Sequence, residues 1–194
     1  MAEEKRFAKE REKIESFSDF SNVYNFKKDF KYSYKTDAGL TEEIVREISA
    51  QKDEPEWMLQ ARLKSLELFY KIDYPTWGPD ISELQMNNIV TYVRPDAGLK
   101  ADWNEVPEDI KDTFDRLGIP EAEKTSLAGV GAQYDSEVVY HSIQEELVKQ
   151  GVVYTDFDTA LKEHEDIVRK HFMKLIPPTD HKFAALHGAV WSGG

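Results

Sequence analysis

The sequence predicts a helix-rich α+β segment, and three observations carry that expectation. Apolar residues recur at helical spacing between Gly39 and Trp77 and again between Val106 and Leu117. Short β-rich stretches, Ile89–Val93 and Val152–Phe157, interrupt them. Proline and glycine punctuate the chain wherever one pattern gives way to the next.

Residues 1–36 read as a variable, helical or partly ordered arm. Phe7 and Ile14 share a face, and Phe17, Phe20, Tyr24, Phe26, Phe30, Tyr32 and Tyr34 make its second half aromatic. Gly39–Trp77 reads as two helices around a tight corner. Thr41 is placed to cap the first, with Glu42 and Glu43 in the first turn, where the helix dipole favours acids. Leu40, Ile44, Val45 and Ile48 fall on one face. Pro55 is expected at the first position of the second helix, where its missing N–H needs no partner. Leu59, Leu63, Leu66 and Tyr70 then form an apolar stripe, ended by Tyr74-Pro75. Arg46 and Arg62 are expected to pair with Glu42, Glu43 or Glu56.

Pro79–Asn88 reads as a short helix or loop, Ile89–Val93 as a strand and Arg94–Gly98 as a loop. Pro107–Leu117 reads as a helix stopped by Gly118. Gly129–Tyr134 is a link or short strand. Asp135 or Ser136 is expected to cap a helix running to Gln150, with Val139, Ile143 and Leu147 inward and Gly151 as its stop. Val152–Phe157 reads as a strand. A further helix is expected from Asp158 or Thr159 to Met173, with Leu161, Ile167 and Val168 inward. Asp180 is expected to open a last helix through Phe183, Leu186 and Val190. The expected division is 1–36, 37–126 and 127–194.

Composition restricts function. The net charge is −12 over 194 residues. Residues 1–35 carry 9 Lys/Arg against 7 Asp/Glu, and the remainder 16 against 30. Such an acidic body argues against nucleic acid, whose phosphates require a basic surface. The chain has no cysteine, which excludes disulfides and thiolate chemistry within it. No apolar run approaches the ~20 residues of a membrane span, and the first residues have no apolar signal core. A cytoplasmic location is expected.

The search for chemistry returns no catalytic, cofactor-binding or metal residue. No phosphate-binding glycine motif occurs. His164 and His171 lie seven apart on one expected helix, too far for the i, i+4 spacing of helical zinc sites. His181 and His187 read as surface or capping residues. Asp135, Ser136 and His141 are close in sequence, but Ser136 is better explained as a helix cap. Trp57, Trp77, Trp103 and Trp191 read as core anchors. An interaction or structural module is favoured over an enzyme. A histidine/carboxylate metal enzyme and a free-standing helical binding module stand as rivals.

Several unbroken blocks resemble one family. Gly39–Ser49, Glu54–Leu59 and Arg62–Lys64 make the first, Val106–Glu123 the second. Tyr134–His141, Thr159–His164, Ile176–Asp180, Lys182–Leu186 and Ala189–Gly194, within Gln133–Gly194, complete them. Over about residues 37–194 the chain resembles the SufB subunit of the SUF iron–sulfur cluster assembly system. His187-Gly188 departs from the family's usual Asn-Ser. The resemblance implies an N-terminal portion of such a scaffold, ending at the entry to a parallel β-helix. It implies an iron–sulfur cluster for the full-length protein and no cofactor for this segment. It also implies a SufC-like ATPase and a SufD-like subunit as partners, mainly through regions outside this segment, with sulfur-delivery proteins as further partners.

Overall fold

The computed structural model describes residues 31–116 and 129–193. Strand β1 (Tyr32–Lys35) leads to helices α1 (Glu42–Gln51) and α2 (Glu56–Lys71). Strand β2 (Val93–Pro95), helix α3 (Glu108–Arg116) and a hairpin of β3 (Gly129–Tyr134) and β4 (Glu137–Ile143) follow. Helices α4 (Glu145–Lys149), α5 (Phe157–Glu163), α6 (Glu165–His171) and α7 (Lys182–Val190) complete it. Both sheets are two-stranded and antiparallel, β1 with β2 and β3 with β4. The described residues therefore form a mixed helix and small-sheet segment, and hold no parallel β-helix. The expected boundary at 126/127 lies outside them.

Helix α1 forms as its sequence dictates. The Thr41 side chain accepts from the Ile44 N–H, and Leu40, Ile44, Val45 and Ile48 are buried. Fully burying each such side chain contributes roughly 1.5–3 kcal/mol. The helix ends at Lys52, and Asp53 takes a left-handed backbone, φ 52°, to make the corner. Asp is among the few residues that tolerate that conformation. Pro55 stands one residue outside α2, with ψ 153°, and is its N-cap rather than its first turn.

The buried face of α2 is rotated from the expected stripe. Met58, Arg62, Ser65, Leu66 and Phe69 are buried; Leu59 and Leu63 are half-buried, and Tyr70 is exposed. The cause is α7, which lies against this face. Its Gly188 sits over Ser65: a Cβ there would be 2.8 Å from the Ser65 Cβ and 3.2 Å from the Met173 Cε. Two small residues thus let the helices approach. Leu40, Val45, Leu66, Phe69, Ala185 and Ala189 close the core between α1, α2 and α7.

Other expectations fail for identifiable reasons. Tyr32–Lys35 is strand rather than arm, because it pairs with Val93–Pro95. The strand expected at Ile89–Val93 is displaced accordingly, and Val90 makes a single bridge to Ala38. Pro95 is tolerated at the end of a strand with a free edge. No helix spans 135–150. Val138, Val139 and Tyr140 are β-formers, and Asp135, φ 51°, turns the chain at the hairpin tip. Val139, Tyr140 and Ala132 then pack with Trp103, Val106 and Ile110. Only Glu145–Lys149 remains helical.

Val152–Phe157 is not a strand; its Asp156 accepts from the Thr159 N–H and caps α5 in place of Asp158 or Thr159. The expected helix to Met173 breaks at His164, whose φ of −135° and ψ of 37° separate α5 from α6. Leu161 and Val168 are buried with Met58, but Ile167 is exposed. Helix α7 is capped by His181, not Asp180: its Nδ1 accepts from the Phe183 and Ala184 N–H groups at 3.1 and 3.2 Å.

The close α2–α7 contact makes Gly188 sensitive. Gly188→Ala should lower unfolding free energy in urea by about 1–3 kcal/mol, overpacking outweighing the gain in helix propensity. Ser65→Gly should cost less in that background than alone, a coupling of ~0.5–3 kcal/mol. Additive effects would show that the contact does not constrain the pair.

Candidate functional site

The α1–α2 corner places three consecutive charged residues, which together hold β4, α5 and α2. Lys52 closes α1, with its N–H donating to Ile48 O at 3.1 Å, and its side chain is fully buried. Its Nζ lies 2.7 Å from Asp158 Oδ2 on α5 and 3.3 Å from Glu137 Oε2 on β4. Asp53 pairs with Lys162 on α5 at 3.3 Å. Glu54 accepts from Arg62 in a two-pronged pair, 2.6 Å to Nη2 and 2.7 Å to Nε, both side chains fully buried. The sequence reading assigned Arg62 to Glu42, Glu43 or Glu56; Glu54 takes that place. Arg46 does pair with Glu42.

Arg62 also donates to Ala189 O at 3.2 Å and Trp191 O at 2.7 Å, at the end of α7. A reciprocal contact lies at the other end of the same helix pair. Lys182 Nζ donates to Phe69 O at 2.7 Å and Ile72 O at 2.8 Å, and stands 4.3 Å above the Phe69 ring. Each helix therefore offers a buried cation to the unpaired C-terminal carbonyls of the other.

Around Glu137 the polar network widens. Tyr92 donates its hydroxyl to Glu137 Oε1, and Arg94 Nε lies 3.5 Å from the same oxygen. Burial, then the Glu137 hydrogen bond, raise the Tyr92 pKa, so the phenol stays protonated. Beside it lies a cavity of about 360 Å³ whose lining includes Arg94, Glu137, Asp156, Asp158 and Gly193. Burial raises the Asp158 pKa, although Lys52 pulls the other way. Its Oδ1 is buried without a hydrogen-bond partner. Lys52 is a compensated structural cation here, not an exposed amine able to attack a carbonyl.

His164 and His171 do not share one helix as expected. His164 separates α5 from α6, whereas His171, His181 and His187 line one groove. His141 stacks on Tyr154, ring centroids 4.7 Å apart. Ser136 lies in the hairpin turn and accepts from the Val93 N–H at 3.0 Å, so it caps no helix. His141 is five residues along β4, about 16 Å at strand rise, so no hydroxyl–imidazole pair assembles there. Among the described residues, no group of three or more His, Asp or Glu is placed to hold a metal ion. Trp103 is a buried anchor, and Trp191 packs among Phe157 and Phe172. Trp57 donates to Glu165 at 2.7 Å, but Trp77 is 78% exposed and anchors no core. No helix of the described residues is long and apolar enough to cross a membrane.

The pairings of Lys52, Glu54, Glu137 and Asp158 escaped the sequence reading, in which Asp158 is only a candidate helix cap. One signal was present: Arg62 stands four residues from both Met58 and Leu66, inside an apolar face.

These features define a class: a helix-and-hairpin segment tied by buried ion pairs. No family model matches the chain. It is 59% identical over 161 residues to the iron–sulfur cluster assembly protein SufB of Bacillus subtilis, an alignment covering 83% of this chain and 35% of that protein. It is 55% identical over 171 residues to an iron–sulfur cluster assembly SufBD family protein of Staphylococcus aureus strain USA300, covering 88% and 37%. The protein of strain NCTC 8325 gives the same values. The chain is thus a homologue of SufB and SufBD-family assembly proteins, and spans about a third of the length of these relatives.

Two outcomes test the site. Arg62→Met leaves Glu54 buried and unpaired, and should lower unfolding free energy by about 3–5 kcal/mol in urea titration. Adding Glu54→Leu should recover part of that loss. For Asp158 the folded carboxyl binds its proton more tightly than the unfolded one. Its contribution is therefore fully present below the ordinary carboxylate pKa and is lost as pH rises through the raised value. The melting temperature of the native chain, minus that of Asp158→Asn, should fall as pH climbs from about 4. A flat or rising difference would contradict the burial argument.

Proposed function

We propose that this chain is a structural, partner-presenting segment of a scaffold for iron–sulfur cluster assembly, working with a SufC-like ATPase and a SufD-like subunit. The observation that carries the reading is the 59% identity with SufB across 83% of the chain. The chain's own chemistry agrees. It has no cysteine, the usual ligand of such clusters, and its buried charges are tied to one another and to backbone carbonyls. On this reading the segment supplies no cluster ligand. It fixes the geometry of neighbouring parts of the scaffold, where the nascent cluster is held as cargo. The cytoplasm is the compartment proposed for this work.

Two measurements test it. Incubation of the chain with ferrous iron and sulfide should leave no stoichiometric cluster by absorbance and iron analysis. A stable cluster on this chain alone would overturn the structural assignment. Residues 32–193 placed in B. subtilis SufB in exchange for the homologous segment should restore iron–sulfur enzyme activity in SufB-depleted cells. A folded, expressed exchange protein without activity would overturn the assembly role.

A further inference from the structure

The first turn of α7 is held by an acceptor that a proton can remove. His181 stands at the N-cap with an extended backbone, and its Nδ1 accepts from both the Phe183 and the Ala184 N–H. Ser, Thr, Asp and Asn usually fill this place, and none of them ordinarily changes its protonation near neutral pH. Histidine does. Its Nδ1 accepts only while it carries no hydrogen, so the cap requires the neutral ring with its hydrogen on Nε2. A second proton makes Nδ1 a donor aimed at two other donors. It also sets a positive charge at the positive end of the helix dipole.

The groups around the ring pull in both directions. Asp180 Oδ2 lies 3.7 Å from Nε2 and favours the imidazolium, but the two side chains are 57% and 37% exposed, and such pairs are weak. Lys182, the next residue, is cationic and turned inward onto Phe69 O and Ile72 O. His171, Lys174 and His187 line the same groove as His181, and burial, then the Arg62 charge, lower the His187 pKa. The Trp77 and Phe183 rings meet the imidazole at 6.4 and 6.3 Å between centroids and bring no charge. Of these groups Asp180 is the single anion. The groove is open, because the chain turns outward at Met173, φ 53°, and leaves Leu175 97% exposed along it. A proton therefore reaches the ring without unfolding. We propose that His181 is a proton-operated latch on α7: the neutral ring holds the first turn closed, and the imidazolium releases it. The released turn carries Lys182, which fastens this end of α7 to the C-terminus of α2. Loss of the cap thus loosens one end of the α2–α7 interface while Arg62 still holds the other. By linkage, the cap stabilises the fold above the range in which imidazole gains its proton, and that contribution is lost as pH falls through it. The latch belongs to this helix end and is independent of the assembly role.

The test is amide hydrogen exchange, read by NMR on the 194-residue chain from about pH 7.5 to about 5 and corrected for the intrinsic pH dependence. The Phe183 and Ala184 amides report the cap directly, and their protection should fall about tenfold across this range. Protection of Val45 and Ile48 in α1 should stay level. The His181 ring nitrogens should show the Nε2–H tautomer at the upper end and the doubly protonated ring as protection falls. His181→Asn and His181→Ser keep an acceptor that does not titrate here, and should hold protection level throughout. His187→Asn should leave the fall in place. Constant protection in the parent, an equal fall in both His181 variants, or a fall that His187→Asn abolishes overturns the proposal. So does an Nδ1–H tautomer at the upper end. A fall of the same size in α1 also overturns it, since the whole fold rather than one helix end would then be loosening.

Discussion

The arrangement depends on how two buried cations are compensated. Arg62 and Lys182 cross the α2–α7 interface in opposite directions, and each ends on carbonyls at the C-terminus of the other helix. Taking a charge out of water costs several kcal/mol unless its donors are met. Arg62 meets that condition through both carboxylate oxygens of Glu54 and two carbonyls. Lys182 meets it through two carbonyls and the faces of Phe69 and Tyr74, 4.3 and 4.5 Å away. An apolar contact tolerates sliding of one helix along the other. These polar contacts do not, because a shift of one residue would strand a buried charge. The pair therefore sets register, while the apolar residues around it supply most of the free energy.

The corner between α1 and α2 extends the same logic to the rest of the segment. Lys52, Asp53 and Glu54 are adjacent in sequence, yet they hold the hairpin, α5 and α2. Only the left-handed turn at Asp53 allows three neighbours to point to such different places. Because Glu54 also fixes Arg62, and Arg62 the end of α7, the corner is coupled to Trp191 through two side chains. Polar contacts of this kind are costly to half-satisfy, so rearranging one element would disturb the others. Such coupling suits a part whose value lies in holding shape, and it agrees with the structural role proposed for the segment.

How far the sequence disclosed this follows from which interactions are local. Helix α1 was legible down to its cap, because Thr41, the two glutamates and the apolar face all act within one helix. Arg46 with Glu42 was legible for the same reason. The hairpin was misread because Val139, Ile143 and Leu147 satisfy helical spacing, although Val138, Val139 and Tyr140 are residues that favour strand. Trp103, thirty-six residues before Val139, is what settles the matter in space. The face of α2 was misplaced by about one residue because its partner, α7, lies more than a hundred residues away. The family resemblance found the right relatives without finding these contacts, since motif blocks report identity and not pairing.

Gly188 shows how local propensity and packing join. Glycine at 188 lowers intrinsic helix stability by about 1 kcal/mol relative to alanine. In return it admits Ser65 to a distance that a Cβ at 188 would not permit, and Met173 to one it would crowd. That closeness brings Ala189 and Trp191 within reach of Arg62 and seats Met173 where the chain turns outward. Local propensity is thus spent on an interhelical approach, and the approach in turn shapes the Leu175–Ile176 surface. The same residue that tightens the core governs what is displayed beside it, so a substitution at 188 acts on both the fold and the groove.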